Sequence, residues 1–190
     1  MIWFTADSHF RHANVIKYCK RPFSSVGKMD QVLIDNWNTM VHPNDTVYHL
    51  GDFCFGEPEE ANFYIRQLNG HVHFLWLPWH HDRHWQPTSM PVMAPYYSRS
   101  GHPIIFDPPM HVLKFPEYGD GRHAKTLVLS HYPVSRWDCS HYGSWHLYGH
   151  CHGLFENGGL SFDCGVDCNE FRPISLDEVA ERMSHGCSGV

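Results

Sequence analysis

The chain has 190 residues, of which 42% are hydrophobic and 15% aromatic, and these values are typical of a globular domain with a sizeable buried core. The formal net charge of −6 argues against tight, sequence-independent binding of long nucleic acid, which depends on many Lys and Arg side chains at the phosphates. The seven cysteines form an odd set without a C-x-x-C pair, and we find neither a signal-peptide pattern nor an apolar run of about 18 residues. We therefore expect a single domain over residues 1–190 that is cytoplasmic, keeps its thiols reduced and does not enter a membrane.

Predicted strands and helices alternate in the N-terminal part of the chain. Runs with β-type composition lie at 1–6, 45–50 and 71–77, and segments with helical periodicity at 29–41 and 57–69 lie between them. The first helical segment places Met29, Leu33, Trp37 and Met40 on one face, which we expect to be buried. The second helical segment has acidic residues in its first turn and leads to a glycine that is suited to end a helix. The order strand, helix, strand, helix, strand predicts βαβ units and an α/β fold.

The C-terminal part is richer in predicted strands. Further β-type runs lie at 126–130, 145–149 and 160–166. The segment "SLDEVAERM" (175–183) is predicted to be the last helix, with Ser175 or Asp177 near its start. The proline-rich segment 86–109 is predicted to be an irregular connection that contains a strand at "HPIIF" (102–106).

Acidic and imidazole side chains follow five of the predicted strands, at the end where each strand stops. They are Asp7, His9, Asp52, His80, His81, Asp82, His131, His150 and His152. Active sites of open α/β sheets collect at the carboxyl ends of the strands. Side chains two residues apart on an extended chain point the same way. Asp7 with His9, and His150 with His152, can therefore each present a pair of ligands to one centre.

This set contains more metal-ligating groups than one ion needs. Carboxylates and imidazoles without thiolates suit Mn, Fe, Zn or Ni better than a structural zinc site, and we favour Mn. We expect two divalent metal ions that share one carboxylate and lie about 3.5–4 Å apart, an arrangement used in phosphoryl transfer.

Five short motifs occur in the order found in the calcineurin-like metallophosphoesterases. They are D-S-H (7–9), G-D-F (51–53), H-H-D (80–82), S-H-Y-P (130–133) and G-H-C-H (149–152). The chain resembles that family between residues 7 and 152, and "GVDCNEFRPISLDEV" (165–179) resembles the C-terminal ending of its small, single-domain bacterial and phage members. The resemblance implies a four-layer αββα sandwich and a dinuclear metal centre.

The resemblance also implies a role for each motif residue. Asp7, His9 and His152 would bind the first metal, Asp52 would bridge both metals, and His131 and His150 would bind the second. His81 would be the catalytic histidine beside the leaving oxygen, and Asp82 would orient His81 through a hydrogen bond.

The third motif departs from the pattern of the family. The family usually has G-N-H-D, whereas this chain has Trp79-His80-His81-Asp82. An imidazole can bind a metal through one nitrogen, so we expect His80 to be a ligand of the second metal in place of the asparagine. Trp79 adopts a positive φ less easily than the usual glycine, which affects the geometry expected at this site.

Residues beside the motifs are further candidates for contacts to the ligands or to a phosphate. They are Arg11, His12, His49, Arg83 and His84.

The motifs favour a metal-dependent phosphoesterase, with phosphodiesterase preferred, in which a metal-bridging hydroxide attacks phosphorus directly. A short chain without an obvious cap domain should leave the metals open to small phosphate esters, including nucleotides. Two alternatives stay open. One is a non-catalytic scaffold with the same fold, against which the presence of His81 argues; the other is a nuclease, which the net charge disfavours.

Overall fold

The first of two β-sheets carries most of the candidate ligands. In this computed structural model, which describes residues 1–89 and 96–185, the sheet consists of β1 (Ile2–Thr5), β2 (Thr46–His49), β3 (His71–Leu75), β4 (Ile105–Asp107) and β9 (Ile174–Ser175). The strand order is β4-β3-β2-β1-β9, with β1 to β4 parallel and β9 antiparallel to β1. The parallel order brings the carboxyl ends of β1, β2 and β3 to one edge.

The second sheet contains four strands. They are β5 (Met110–Phe115), β6 (Lys125–Ser130), β7 (Trp145–Tyr148) and β8 (Ser161–Asp163). Their order follows the sequence, with β5 antiparallel to β6 and the other neighbours parallel. The chain passes from the first sheet to the second between β4 and β5, through Pro108 and Pro109.

Four α-helices accompany the sheets in the part of the chain that the structure describes. They are α1 (Ala13–Tyr18), α2 (Val26–Met40), α3 (Pro58–Ile65) and α4 (Leu176–Ser184). Ser25 caps α2 by accepting a hydrogen bond from the Lys28 backbone N–H, and Ser175 caps α4 in a reciprocal arrangement with Glu178. Among the described residues, no helix is long and apolar enough to cross a membrane.

Two hydrophobic cores lie on opposite faces of the first sheet. On one face, Trp3, Val47 and Phe74 pack against α2 and α3. The other face packs on the second sheet, where Leu127, Leu129 and Leu147 meet Phe4 and Leu75. Helix α4 closes the edge of this second core with Leu176, Val179 and Met183. The segment 132–144 lies over part of the outer face of the second sheet, where the Trp137 ring is 5.1 Å from that of His146.

The α/β prediction is confirmed at the level of a mixed fold with two sheets. Each of the six β-type runs contains a strand, and the predicted buried face of α2 is right for Met29, Leu33 and Trp37, while Met40 is partly buried. Sequence patterns missed α1, β5 and β9 and began the strand of 102–106 three residues before the start of β4 at Ile105. Residues 90–95 of the predicted irregular connection lie outside the described residues.

Helix α3 ends earlier than predicted. The expected end at Gly70 is wrong, because the backbone N–H groups of Gln67 and Leu68 bond three residues back and tighten the chain into turns after Ile65. Gly70 has a φ of +97°, and a Cβ there would lie 2.9 Å from the Asp45 carbonyl oxygen. This glycine serves the entry into β3 instead of the end of the helix.

Candidate metal centre

The seven predicted metal ligands lie in two neighbouring clusters. The first cluster consists of Asp7, His9 and His152, and the second consists of Asp52, His80, His131 and His150. Within each cluster, one ligand atom from every residue lies within 4.8 Å of the others. The loops that follow β1, β2, β3, β6 and β7 supply these residues. The two groups match the division of ligands that the resemblance implied.

Asp52, a member of the second cluster, also faces the first. Its Oδ2 atom is 3.4 Å from Nε2 of His9 in the first cluster and 3.7 Å from Nε2 of His131 in the second. Its Oδ1 atom pairs with Nδ1 of His80. One carboxylate therefore faces nitrogen atoms of both clusters, as a bridging ligand must.

Five of the candidate ligands have a left-handed backbone. The φ angles are 58° at Asp7, 51° at His9, 54° at Asp52, 68° at His150 and 48° at His152. This conformation costs a non-glycine residue about 1–2 kcal/mol, and such strain concentrates at functional sites. It also overturns part of the spacing argument, because these residues do not continue an extended strand. Asp7 and His9 do share one cluster, but His150 and His152 point into different ones.

Backbone hydrogen bonds hold the strained loops side by side. The backbone N–H of Asp7 donates to the carbonyl of Gly51, and that of His9 donates to the carbonyl of Asp52, at 3.0 and 2.9 Å. The His150 N–H donates to Oδ2 of Asp7 at 2.8 Å. A Cβ at Gly149 would lie 2.7 Å from this same oxygen. Glycine at position 149 therefore allows the loop after β7 to approach the Asp7 carboxylate.

Several buried polar atoms of the clusters have no hydrogen-bond partner. Among the described residues they are Oδ1 of Asp7, Nε2 of His9 and both ring nitrogens of His131. An unpaired buried polar atom costs about 1–3 kcal/mol. Their convergence on one edge, together with a donor set of carboxylate oxygens and imidazole nitrogens, fits two divalent cations.

Burial sets the charge of the imidazoles. It lowers the pKa of His9 well below the usual range and that of His131 to about 3, so both rings are neutral near pH 7, the form that binds metals. Burial also raises the pKa of Asp7 well above its usual value, and the charges of Asp163 and Asp52 add to the effect. Burial acts to raise the pKa of Asp52, but the hydrogen bond with His80 and the nearby histidines hold it below its usual value. A cation between these groups would favour every carboxylate in its charged form.

His80 reaches the second cluster without the expected strain in the loop. Trp79 is 56% exposed and packs edge-on against Trp76, and Trp79 is not among the described residues with a positive φ. His80 itself has an extended backbone, with φ −106° and ψ −160°. The missing glycine of the third motif is therefore compatible with a ligand at position 80.

His81 is half-buried at the boundary between the clusters. Its ring centroid lies 5.4 Å from that of His9 and 5.0 Å from that of His80, edge-on in both cases. A substrate bound at both clusters would therefore lie within reach of this imidazole.

The predicted hydrogen bond between Asp82 and His81 is wrong. The Asp82 carboxylate instead accepts hydrogen bonds from the backbone N–H groups of Phe53 and Cys54, at 3.0 and 3.2 Å, and from Nε1 of Trp85 at 2.9 Å. His81 and Asp82 are consecutive residues of the 3₁₀ turn His81–His84, so their side chains diverge and Asp82 turns inward. Burial raises the pKa of Asp82 to about 7. Asp82 anchors the loop that follows Asp52.

The other candidates beside the motifs divide into two groups. Nδ1 of His12 lies 3.5 Å from Nδ1 of His9, and His49 supports the loops by pairing with Oγ of Ser8 at 2.9 Å. Arg11 instead forms an ion pair with Glu60. Arg83 donates to the ring of His84, and both are exposed.

Sequence reasoning missed two residues that contact the first cluster. Asp167 accepts a hydrogen bond from Nδ1 of His152 at 2.7 Å, and Arg21 forms an ion pair with Asp167. Asp167 lies within the C-terminal segment that carried part of the resemblance, and this is the signal that could have identified it. Arg21 lies outside the five motifs, and its importance depends on the folded structure.

The chain has relatives along nearly its whole length. No family model matches it. An uncharacterized protein of Methanocaldococcus jannaschii is 28% identical over 194 residues, which cover 97% of this chain and 92% of that protein. The gene 66 protein of Mycobacterium phage L5 is 25% identical over 218 residues, covering 96% and 94%. The crystal structure of a protein of unknown function from Aquifex aeolicus superposes with a TM-score of 0.64 at 22% identity and covers 95% of this chain and 98% of that one. This structural likeness shows a shared fold.

Proposed function

We propose that this protein is a metal-dependent phosphoesterase, with phosphodiester substrates preferred, that uses two divalent metal ions. The observation that carries the proposal is the position of Asp52, whose one carboxylate faces histidine nitrogens of both ligand clusters. A scaffold that bound a single structural ion would not need two ligand sets around a shared carboxylate.

Each residue has a distinct task in this proposal. Asp7, His9 and His152 would hold the first ion, His80, His131 and His150 would hold the second, and Asp52 would contribute to both sites. When bound, the two ions supply an activated water nucleophile and stabilise charge on the phosphoryl oxygens. His81 stands beside a histidine of each cluster, and it gives a proton to the leaving oxygen as the general acid.

The packing of the two sheets supports the four-layer αββα arrangement of the calcineurin-like enzymes. Helices α2 and α3 form one outer layer, and the two sheets form the inner layers. On the far side the segment 132–144, with a short 3₁₀ turn at Ser140–Tyr142, takes the place of a second helical layer. In this proposal the protein has a smaller version of that architecture, with a loop segment in place of the second helical layer.

The surroundings of the clusters favour small substrates. His150 is exposed, and His80, His81 and His152 are partly buried, so the centre opens to solvent. The exposed rings of Phe55 and Tyr132 flank it. A net charge of −6 gives no electrostatic attraction for long nucleic acid. Small phosphodiesters, including nucleotides, therefore suit the site better than a polymer.

Hydrolysis of model esters tests the proposal. Metal-free protein is supplied with Mn, Ni, Zn or Mg, and turnover of bis-p-nitrophenyl phosphate and p-nitrophenyl phosphate is measured with bound metal determined in the same samples. We expect turnover to require two ions per chain and to be faster with the diester. Two bound ions without hydrolysis of either ester would favour the scaffold instead.

A further inference from the structure

A buried arginine contacts the Asp7 turn of the first cluster and a carboxylate, Asp167, that contacts His152. The side chain of Arg21 is fully buried, and its Nε and Nη2 atoms donate to the two carboxylate oxygens of Asp167, each at 2.7 Å. The same guanidinium donates to the carbonyl oxygens of Asp7 and Ser8, at 2.6 and 3.0 Å. These four hydrogen bonds from one planar group to Asp7, Ser8 and Asp167 restrict the partners in angle as well as in distance.

Asp167 extends this contact to a candidate metal ligand. Its Oδ2 atom accepts a hydrogen bond from Nδ1 of His152 at 2.7 Å. A proton held on Nδ1 leaves Nε2 as the nitrogen with a free lone pair. The carboxylate thereby selects the tautomer of His152 and limits rotation of its ring.

The guanidinium also supports the strained turn that carries Asp7 and His9. Residues 7 and 9 have left-handed backbones, and such conformations persist only where the surroundings hold them. Arg21 binds the carbonyl oxygens of Asp7 and Ser8 inside this turn. Every member of the first cluster therefore depends on Arg21, either directly through the turn or through Asp167.

We propose that Arg21 and Asp167 are positioning residues for the first metal ion and leave the second ion unaffected. This inference rests on the proposed dinuclear site. Among the described residues, neither Arg21 nor Asp167 hydrogen-bonds a member of the second cluster, in which His80 pairs with Asp52 itself. The His150 backbone N–H donates to Oδ2 of Asp7, and Asp167→Asn leaves that bond in place. Loss of the pair should thus lower metal affinity at one site alone.

A further group of possible metal ligands overlaps this contact. It consists of Cys19, His152 and Asp167, whose ligand atoms lie within 4.8 Å of one another. The geometry favours the positioning role over a thiolate metal site, since both oxygens of Asp167 already accept hydrogen bonds from Arg21. Cys19→Ser should accordingly leave the metal content and the affinity of each site unchanged.

Titration of metal-free protein with Mn²⁺, followed by electron paramagnetic resonance, tests the inference. The substitution Asp167→Asn is placed in two backgrounds: His150→Ala, which keeps the first site, and Asp7→Asn, which keeps the second. We expect Mn²⁺ affinity to fall about 10- to 100-fold in the first background and to stay the same in the second. Equal losses in both backgrounds, or no loss in the first, would overturn the assignment.

Two further variants separate positioning from a general loss of structure. Asp167→Asn leaves the buried Arg21 guanidinium without its anion, which destabilises the fold. If the asparagine variant does not fold, Asp167→Glu takes its place. It keeps the charge but displaces the carboxylate from His152, and first-site affinity should again fall selectively. Asp45→Asn is the matched control, since Asp45 is also buried but bonds the N-terminus and Trp3, and both sites should retain their affinity.

The outcomes also distinguish this inference from the proposed function. A wild-type protein that binds two ions without hydrolysing esters removes the proposed function and leaves the positioning role intact. If the wild-type protein hydrolyses esters but neither Asp167 variant changes the Mn²⁺ affinity of the first site, the positioning role is removed and the proposed function stands. A wild-type protein that binds no Mn²⁺ at the first site overturns both.

Discussion

Protonation of His146 should couple the stability of the second sheet to pH. His146 is fully buried on β7, between Oγ of Ser130 at 3.0 Å and Oγ of Ser161 at 3.1 Å. Ser130 donates its own proton to the carbonyl oxygen of Tyr132, so it accepts one from Nε2 of His146. The neutral imidazole is therefore satisfied at both nitrogens, and burial lowers its pKa from 6.5 to about 4.

The sign and size of the effect follow from this shift. The unfolded chain binds a proton at His146 at a higher pH than the folded chain does. The contribution to stability is thus complete above the unfolded pKa and is lost as the pH falls toward 4. A shift from 6.5 to about 4 corresponds to roughly 3 kcal/mol of unfolding free energy, at about 1.36 kcal/mol per pKa unit.

Urea unfolding of metal-free wild type and His146→Gln between about pH 4 and 8 measures the effect. The glutamine can keep both hydrogen bonds but does not bind a proton in this pH range. Subtracting the stability curves of the two proteins removes the contribution of the other histidines. As the pH falls from about 8 to about 4, the unfolding free energy of wild type should decrease by on the order of 3 kcal/mol more than that of the variant. His123→Gln, at a histidine whose side chain is 83% exposed, should parallel wild type. Parallel curves for wild type and His146→Gln would refute the reasoning.

Three predictions concern the candidate metal centre. His81→Ala should lower kcat about 10²- to 10⁴-fold while both ions are retained. Loss of metal together with activity would make His81 a ligand, and turnover equal to that of wild type would show that His81 has no catalytic role. Asp52→Asn should weaken both sites at once and abolish hydrolysis, because its carboxylate faces both clusters, and metal analysis that shows two tightly bound ions in this variant would contradict the bridge. Burial acts to lower the pKa of His80, but the hydrogen bond and charge of Asp52 outweigh it and raise the pKa overall. Acid should therefore displace the second ion first, and His80→Asn should make its occupancy less sensitive to pH between about 5 and 8; identical metal contents across that range would show that His80 is not a ligand.

Local patterns in the sequence were sufficient for the main elements of the fold. The α2 helix follows from apolar residues at steps of three and four, and its buried face agrees with that pattern. The alternation of strands and helices before residue 77 predicted βαβ units, and β1, β2 and β3 do pair in parallel. Both inferences depend on burial of one side of a short segment, which the segment itself encodes. Strand β5, with alternating exposed residues at a sheet edge, lacks that signal.

The positions of the candidate ligands were also visible in the sequence, because each follows an apolar run that ends in a polar turn. Their grouping was visible only in part. The two-residue spacing of an extended chain predicted that His150 and His152 face one centre. Left-handed backbones at both residues instead direct them into separate clusters. Backbone conformation at a turn depends on the neighbouring loops, and here the loop after β7 is held by the carboxylate of Asp7 in the loop after β1.

Only the tertiary structure decided which groups support the candidate ligands. Asp82 is adjacent to His81 in the chain, yet its carboxylate bonds the backbone of the loop after Asp52. Arg21 and Asp167 are 146 residues apart, and folding brings them together behind the first cluster. A hydrogen bond requires atoms to lie within about 3 Å in a fixed direction, and local sequence carries no information about such pairs when distant strands and loops bring them together.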